Sequence, residues 1–336
     1  MSIKDRSTEY MYISARIRAI EATMPGRELI GRMIGAQDRE SAAALAVEGG
    51  VLPSVSQSLN PDSLDTPLMK RLKDALDTVE ADEGGKLITP IVRITYDCAN
   101  IKAALRCIPH GIDFSDLLFD VGSVPAERYG EMVEQGDFSL LPQNLAAASE
   151  KAKTDYAVTC DPLKIDLPLD RACFADMLEA AERTGDAFAV DFVKTKIDMT
   201  NLMMIFRIIN MNGDSAKALL YDAVIDGGYI ETQALRALTD TEDGMTIDRV
   251  AELAREKYPR IFEALTSDVE DLENLCDSLI EEKLRQSKYI PFGIPIVLAF
   301  LCGLEYEIKN IRIILAAKAA GLTPEKIAQR VRGSYV

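Results

Sequence analysis

Tyr10, Ile13, Ile17 and Ile20 recur at spacings of 3, 4 and 3, with Arg16, Arg18 and Glu21 off that face. This is the period of an amphipathic helix, and it predicts one that stops before Pro25-Gly26. The pattern continues through ELIGRMIG and RESAAALAVE, where Gly49-Gly50 reads as a C-cap. Residues 66–80, TPLMKRLKDALDTVE, predict a helix opening at Thr66-Pro67, an N-cap with proline at the first helical position. Residues 170–212 hold two further helices. In the last third, VEDLENLCDSLIEEKLRQSKYIP is helical, and a long helix runs from Pro295 to about Ala320 with Leu301, Leu304, Ile308, Ile311 and Leu315 on one face. Gly321 ends it, and Thr323-Pro324 starts a short final helix. Strict apolar–polar alternation is hard to find, so the fold class expected is all-α.

A second regularity is longer. YDCANIKAALRCI, IDMTNLMMIFRII and EYEIKNIRIILAA each carry an acidic residue, two spacers, an asparagine and an apolar run, and Asn100, Asn201 and Asn310 lie 101 and 109 residues apart. LLFDVGSVPAERY follows the first from Leu117, and LLYDAVIDGGYIETQAL follows the second from Leu219. We read three diverged copies of one helical unit, with boundaries at 1–124, 125–229 and 230–336. A period this long exceeds that of common solenoids, so each copy should be a small bundle.

Positions i and i+3 share a helix face. Asp97 with Asn100, Asp198 with Asn201, and Glu307 with Asn310 therefore each present two polar groups side by side. A buried amide without partners costs roughly 1–3 kcal/mol, so each asparagine, facing a neighbouring helix or loop, is expected to act as an interhelical hydrogen-bond clamp that fixes how its bundle packs. A catalytic centre has no reason to occur three times. Arg106 and Arg207 follow their asparagines by six residues and project away from them at about 100° per residue, so no triad forms on one helix.

Composition narrows the function. The net charge of −16 argues against a nucleic-acid binder, which needs basic patches, and against simple adsorption on an anionic membrane. The six cysteines, Cys98, Cys107, Cys160, Cys173, Cys276 and Cys302, include no C-x-x-C pair and read as small buried hydrophobes in a reducing cytosol. The start lacks an apolar h-region, so no signal peptide is expected. Residues 291–304 are too short an apolar run to span a bilayer. The lone histidine, His110, stands at a helix end, where a cap or surface role is expected. No phosphate loop, G-x-S-x-G elbow or H-E-x-x-H stretch is present. Asp268, Glu270 and Asp271 are the nearest candidates for a helical Mg²⁺ enzyme, but such a charge run is normally a solvated face. No catalytic, cofactor or metal residue is assigned.

These motifs together resemble one family. YMYISARIRAIEATM resembles the Tyr-x-Tyr-x-x-x-Arg-x-Arg helix that opens the C subunit of the archaeal and bacterial V/A-type ATPases, the counterpart of the d subunit of eukaryotic V-ATPases. YDCANIKAALR and IDMTNLMMIFR resemble its Asp-x-x-Asn helices, and the stretch from Tyr289 resembles its C-terminal Glu-x-x-Asn-Ile-Arg signature, here Glu307, Asn310 and Arg312. Residues 44–54 depart from the family's Leu-x-x-Thr-x-Tyr pattern, and residues 130–153 are hard to match. The resemblance implies three bundles about a pseudo-threefold axis forming a funnel. It implies a non-catalytic rotor part without cofactor, present once per complex on the cytoplasmic face of the membrane sector. That part seats the D/F-type central stalk on the proteolipid ring and transmits torque. A generic helical scaffold is the alternative.

Overall fold

A computed structural model describes residues 10–22, 24, 26–55, 61–209, 214–239, 246–266 and 272–331. Among these there is no strand. The chain forms two compact units, one of residues 1–92 with 281–336 and one of residues 93–280.

The first unit contains α1 (Met11–Glu21), α2 (Arg27–Gly35), α3 (Arg39–Glu48), α4 (Pro61–Glu80), α15 (Ile294–Ala319) and α16 (Pro324–Arg330). Its centre is α15. Every residue from Ile294 to Leu304 is buried, and α1, α3 and α4 all pack against this helix. The most apolar stretch of the chain is therefore a core helix, and no helix of the described residues is long and apolar enough to cross a membrane. Tyr10 is buried beside Gly84, where a Cβ would lie 2.7 Å from its ring. Arg18 donates to the carbonyl of Ser287 at 2.8 Å and pairs with Glu21 at 2.7 Å, fixing the turn that leads into α15.

One helix start differs from expectation. α4 begins at Pro61, and Pro67 lies inside it. Pro67 removes one intrahelical bond. The helix continues through it because Leu68, Leu72, Leu76 and Val79 are all fully buried and hold the helix by their packing.

The second unit contains α5 (Pro90–Cys107), whose first turn belongs to the other unit, then α6 (Arg128–Gln135), α7 (Gln143–Thr159), α8 (Leu163–Thr184), α9 (Ala187–Ile209), α10 (Asp214–Ala223), α11 (Thr232–Arg236), α12 (Ile247–Ala254), α13 (Pro259–Thr266) and most of α14 (Leu272–Arg285). α7 and α8 form the most extensive helix pair. Asp176 on α8 caps α7 by accepting from the backbone N–H of Asn144 at 3.0 Å and of Leu145 at 2.8 Å, so a side chain from the partner helix supplies the N-cap that Pro142 cannot.

Candidate functional site

The polar pairs of the repeat hold loops. Asn100 donates from Nδ2 to the carbonyl of Phe119 at 2.8 Å and accepts from the N–H of Phe119 at 2.8 Å. Asp97, one turn earlier, accepts from the N–H and the hydroxyl of Ser123 at 2.8 and 2.6 Å, from the N–H of Val124 at 3.3 Å and from the hydroxyl of Tyr129 at 2.7 Å. Arg93, a further turn back, donates to the carbonyls of Val121 and Gly122 at 2.8 and 3.1 Å. One face of α5 thus satisfies donors and acceptors of residues 119–124, which would otherwise be orphaned on burial.

α9 repeats the device. Asn201 donates to the carbonyl of Ile225 and accepts from its N–H at 2.8 and 2.9 Å. Asp198 accepts from the N–H of Tyr229 and Ile230 at 2.9 and 3.2 Å and from the hydroxyl of Tyr258 at 2.7 Å. The matched partners correct the alignment of the two loops. Phe119 corresponds to Ile225 and Gly122 to Gly228, so FDVGSV pairs with IDGGYI, and LLYD at 219–222 lies within α10. The repeated Leu-Leu pair misleads because the second copy inserts a helix before the loop.

Burial lifts both carboxyls above their ordinary range, although the hydroxyl and N–H donors pull the other way. The hydroxyls of Tyr129 and Tyr258 are pushed far up by burial and by the facing carboxylates. They remain donors, fixed in one protonation state. Glycine makes the close approach possible. A Cβ on Gly122 would lie 2.2 Å from Asp97 Oδ1, and one on Gly228 would lie 2.0 Å from Asp198 Oδ1.

In the third member the acidic residue faces a cation. Glu307 on α15 is buried, and its Oε1 lies 2.9 Å from Nη1 of Arg71 on α4. The two atoms are close enough for an ion pair but off the direction of a hydrogen bond. Burial pushes the Glu307 carboxyl up to about 7, with Arg71 opposing. Asn310 is buried beside it, and Arg312 is half-buried on the same helix.

The arginines are not brought to the asparagines. Arg106 pairs with Asp166 on α8, and Arg207 with Glu273 on α14. Lys102, one turn before Arg106, pairs with Asp170 at 2.6 Å. His110 is exposed and shares a hydrogen bond with the hydroxyl of Tyr156 at 2.9 Å. Cys98, Cys173, Cys276 and Cys302 are buried as expected and Cys107 is half-buried, but Cys160 is exposed, at a left-handed φ of 52° where the chain turns from α7 into α8. Asp268, Glu270 and Asp271 lie outside the described residues. Among the described residues no group of three or more His, Cys, Asp or Glu side chains could hold a metal ion.

The sequence reading missed Arg93, Gly122 and Tyr129, with their counterparts Gly228 and Tyr258, and it missed Arg71. A glycine following the asparagine in both loops was the available signal. The tyrosines stand at unequal distances from their carboxylates and left none.

The chain matches the family described as ATP synthase (C/AC39) subunit over residues 13–330. It is 23% identical to the A-type ATP synthase C subunit of Methanocaldococcus jannaschii, across 95% of this chain and 85% of the relative. It is 23% identical to that of Haloquadratum walsbyi, across 98% and 99%, and 22% identical to that of Pyrococcus furiosus, across 96% and 90%. A match spanning nearly every residue leads to one conclusion: the chain belongs to the ATP synthase (C/AC39) subunit family.

Proposed function

We propose that this chain is a non-catalytic central-stalk part of a V/A-type ATPase. It acts as a socket that seats the D/F-type stalk on the proteolipid ring, at the cytoplasmic face, and passes torque between them. In this reading it comprises three related bundles, 1–124, 125–229 and 230–336, arranged about a pseudo-threefold axis as a funnel. It is present once per complex and needs no cofactor.

One observation carries the reading. Each signature helix is tied to the helix that precedes another signature helix: α5 to α8 through Arg106 and Asp166, α9 to α14 through Arg207 and Glu273, and α15 to α4 through Glu307 and Arg71. α8 leads into α9, α14 into α15, and α4 towards α5. The ties run head to tail and close on themselves, which supports a cyclic arrangement of three copies. Clamped loops and cross-braced helices give the stiffness that torque transmission needs, because close-packed interiors yield little under strain.

The test is isolation of the native complex through an affinity tag on this chain, followed by chemical cross-linking. Stalk and ring subunits are expected to co-purify and to cross-link to it. Isolation of the chain without either would overturn the proposal.

A further inference from the structure

We propose that the cavity between α4 and the loop that follows α3 binds a small amphiphilic carboxylate. This goes beyond the assembly reading above and does not rest on it. The cavity measures about 630 Å³, with Val51, Leu52 and Pro53 on one side and Lys70, Arg71 and Asp74 of α4 on the other. That volume is within the range of small-molecule sites, about 300–1,000 Å³. Lys70, Arg71 and Asp74 share one face of α4, distinct from the face buried through Leu68, Leu72 and Leu76. A narrower cavity of about 190 Å³ meets the first at Arg71 and Asp74, which line both. Its walls are mostly apolar, with Ile20 of α1, Met24, and Phe300 and Leu304 of α15.

The charges choose the head group. In a chain of net charge −16, two cations face this cavity. Arg71 lies 2.9 Å from Glu307 but off the direction of a hydrogen bond, and its Nη1 is buried without one. A buried donor left without an acceptor is costly, so a ligand that supplies one gains what the fold forgoes. The planar guanidinium fork takes a carboxylate through two parallel hydrogen bonds. Lys70 adds a second cation, and Asp74 reduces the three charges to a net single positive. That balance suits a carboxylate better than a phosphate dianion. The apolar walls on either side of Arg71 take the alkyl body, whose burial supplies the rest of the affinity. Glu307 links binding to pH. Burial keeps its carboxyl protonated up to about pH 7, and Arg71 is the charged group that acts on it. Above that pH the Glu307 carboxylate competes with the ligand for Arg71.

The experiment titrates the full chain with octanoate, octyl phosphate and octanol, read by calorimetry and by ligand-observed NMR. Octanoate is expected to bind at one site and more tightly than either of the others. Lys70→Ala, at an exposed position, should weaken octanoate about tenfold, the loss of one charge-assisted hydrogen bond, and leave the melting temperature of the unliganded chain unchanged. Arg71→Gln should weaken it further. Raising the pH from about 6 to about 8 should weaken octanoate binding to the wild type and not to Glu307→Gln. Absence of octanoate binding by both methods overturns the inference. So does equal binding of octanol, tighter binding of octyl phosphate, or an affinity unchanged by Lys70→Ala. None of these outcomes bears on the assembly reading, which stands or falls on co-purification.

Discussion

Asn100 pairs with both backbone polar groups of Phe119. The amide donates to the Phe119 carbonyl and accepts from the Phe119 N–H, both at 2.8 Å. Asn201 and Ile225 do the same in the second copy. An asparagine is the smallest side chain that can imitate a peptide group in this way, presenting a donor and an acceptor to one backbone unit.

Replacing Asn201 by leucine leaves the buried N–H and carbonyl of Ile225 without partners. The expected cost is about 1–3 kcal/mol, read as a lower denaturation midpoint in urea. An unchanged midpoint would show that the bonds do not support the fold.

The loop glycines separate close approach from mere glycine content. Gly122→Ala and Gly228→Ala put a methyl group against the carboxylates of Asp97 and Asp198, and overpacking of this kind costs about 1–3 kcal/mol. A methyl group added at Gly31 in α2 would meet only open space, so Gly31→Ala is expected to stabilise by about 0.5–1 kcal/mol. Thermal melts of the three variants should order accordingly.

Glu307 gives the first unit a pH dependence of defined sign. Its folded-state carboxyl titrates at about 7, above its ordinary 4.5. Between those values the folded chain holds a proton that the unfolded chain has released, so this residue's contribution is full below about pH 4.5 and is lost as the pH rises through about 7. The difference is of order 3 kcal/mol at most. Subtracting the stability profile of Glu307→Gln from that of the wild type should leave a decline confined to this window. A flat difference would count against the burial argument.

Arg106 and Arg207 are more exposed than Arg71, and their partners are more exposed than Glu307. Arg106→Ala should cost no more than about 1 kcal/mol, less in added salt. Arg71→Ala should cost more, because it leaves the Glu307 carboxyl buried without its cation. Paired urea titrations at low and high salt check both.

The helices and the recurring polar pair were legible because helical period and a repeated Asp-x-x-Asn are local signals, but that the pair ties down a loop rather than another helix was not. The burial of α15 was legible in Leu301, Leu304, Ile308 and Ile311. Pro67 was not, because burial of Leu68, Leu72 and Leu76 outweighs the local signal of a proline. The partners of Asp97 and Asp198 lie 26 to 60 residues away, and no periodicity reports on a tyrosine hydroxyl brought in by tertiary folding. Cys160 broke the expectation of buried thiols because a turn, not an apolar face, sets its exposure.

The unit of residues 93–280 is continuous in the chain, whereas the other is assembled from residues 1–92 and 281–336. During synthesis the first 92 residues must therefore wait for the last helices to be made, since α15 supplies the centre around which α1, α3 and α4 pack. Domains generally fold in order from the N-terminus as they are made; here the order is inverted, and the middle of the chain is positioned to mature first. A nascent chain that stalls before residue 294 would carry a finished unit together with an uncovered face of α4, a natural point of attack for chaperones and proteases.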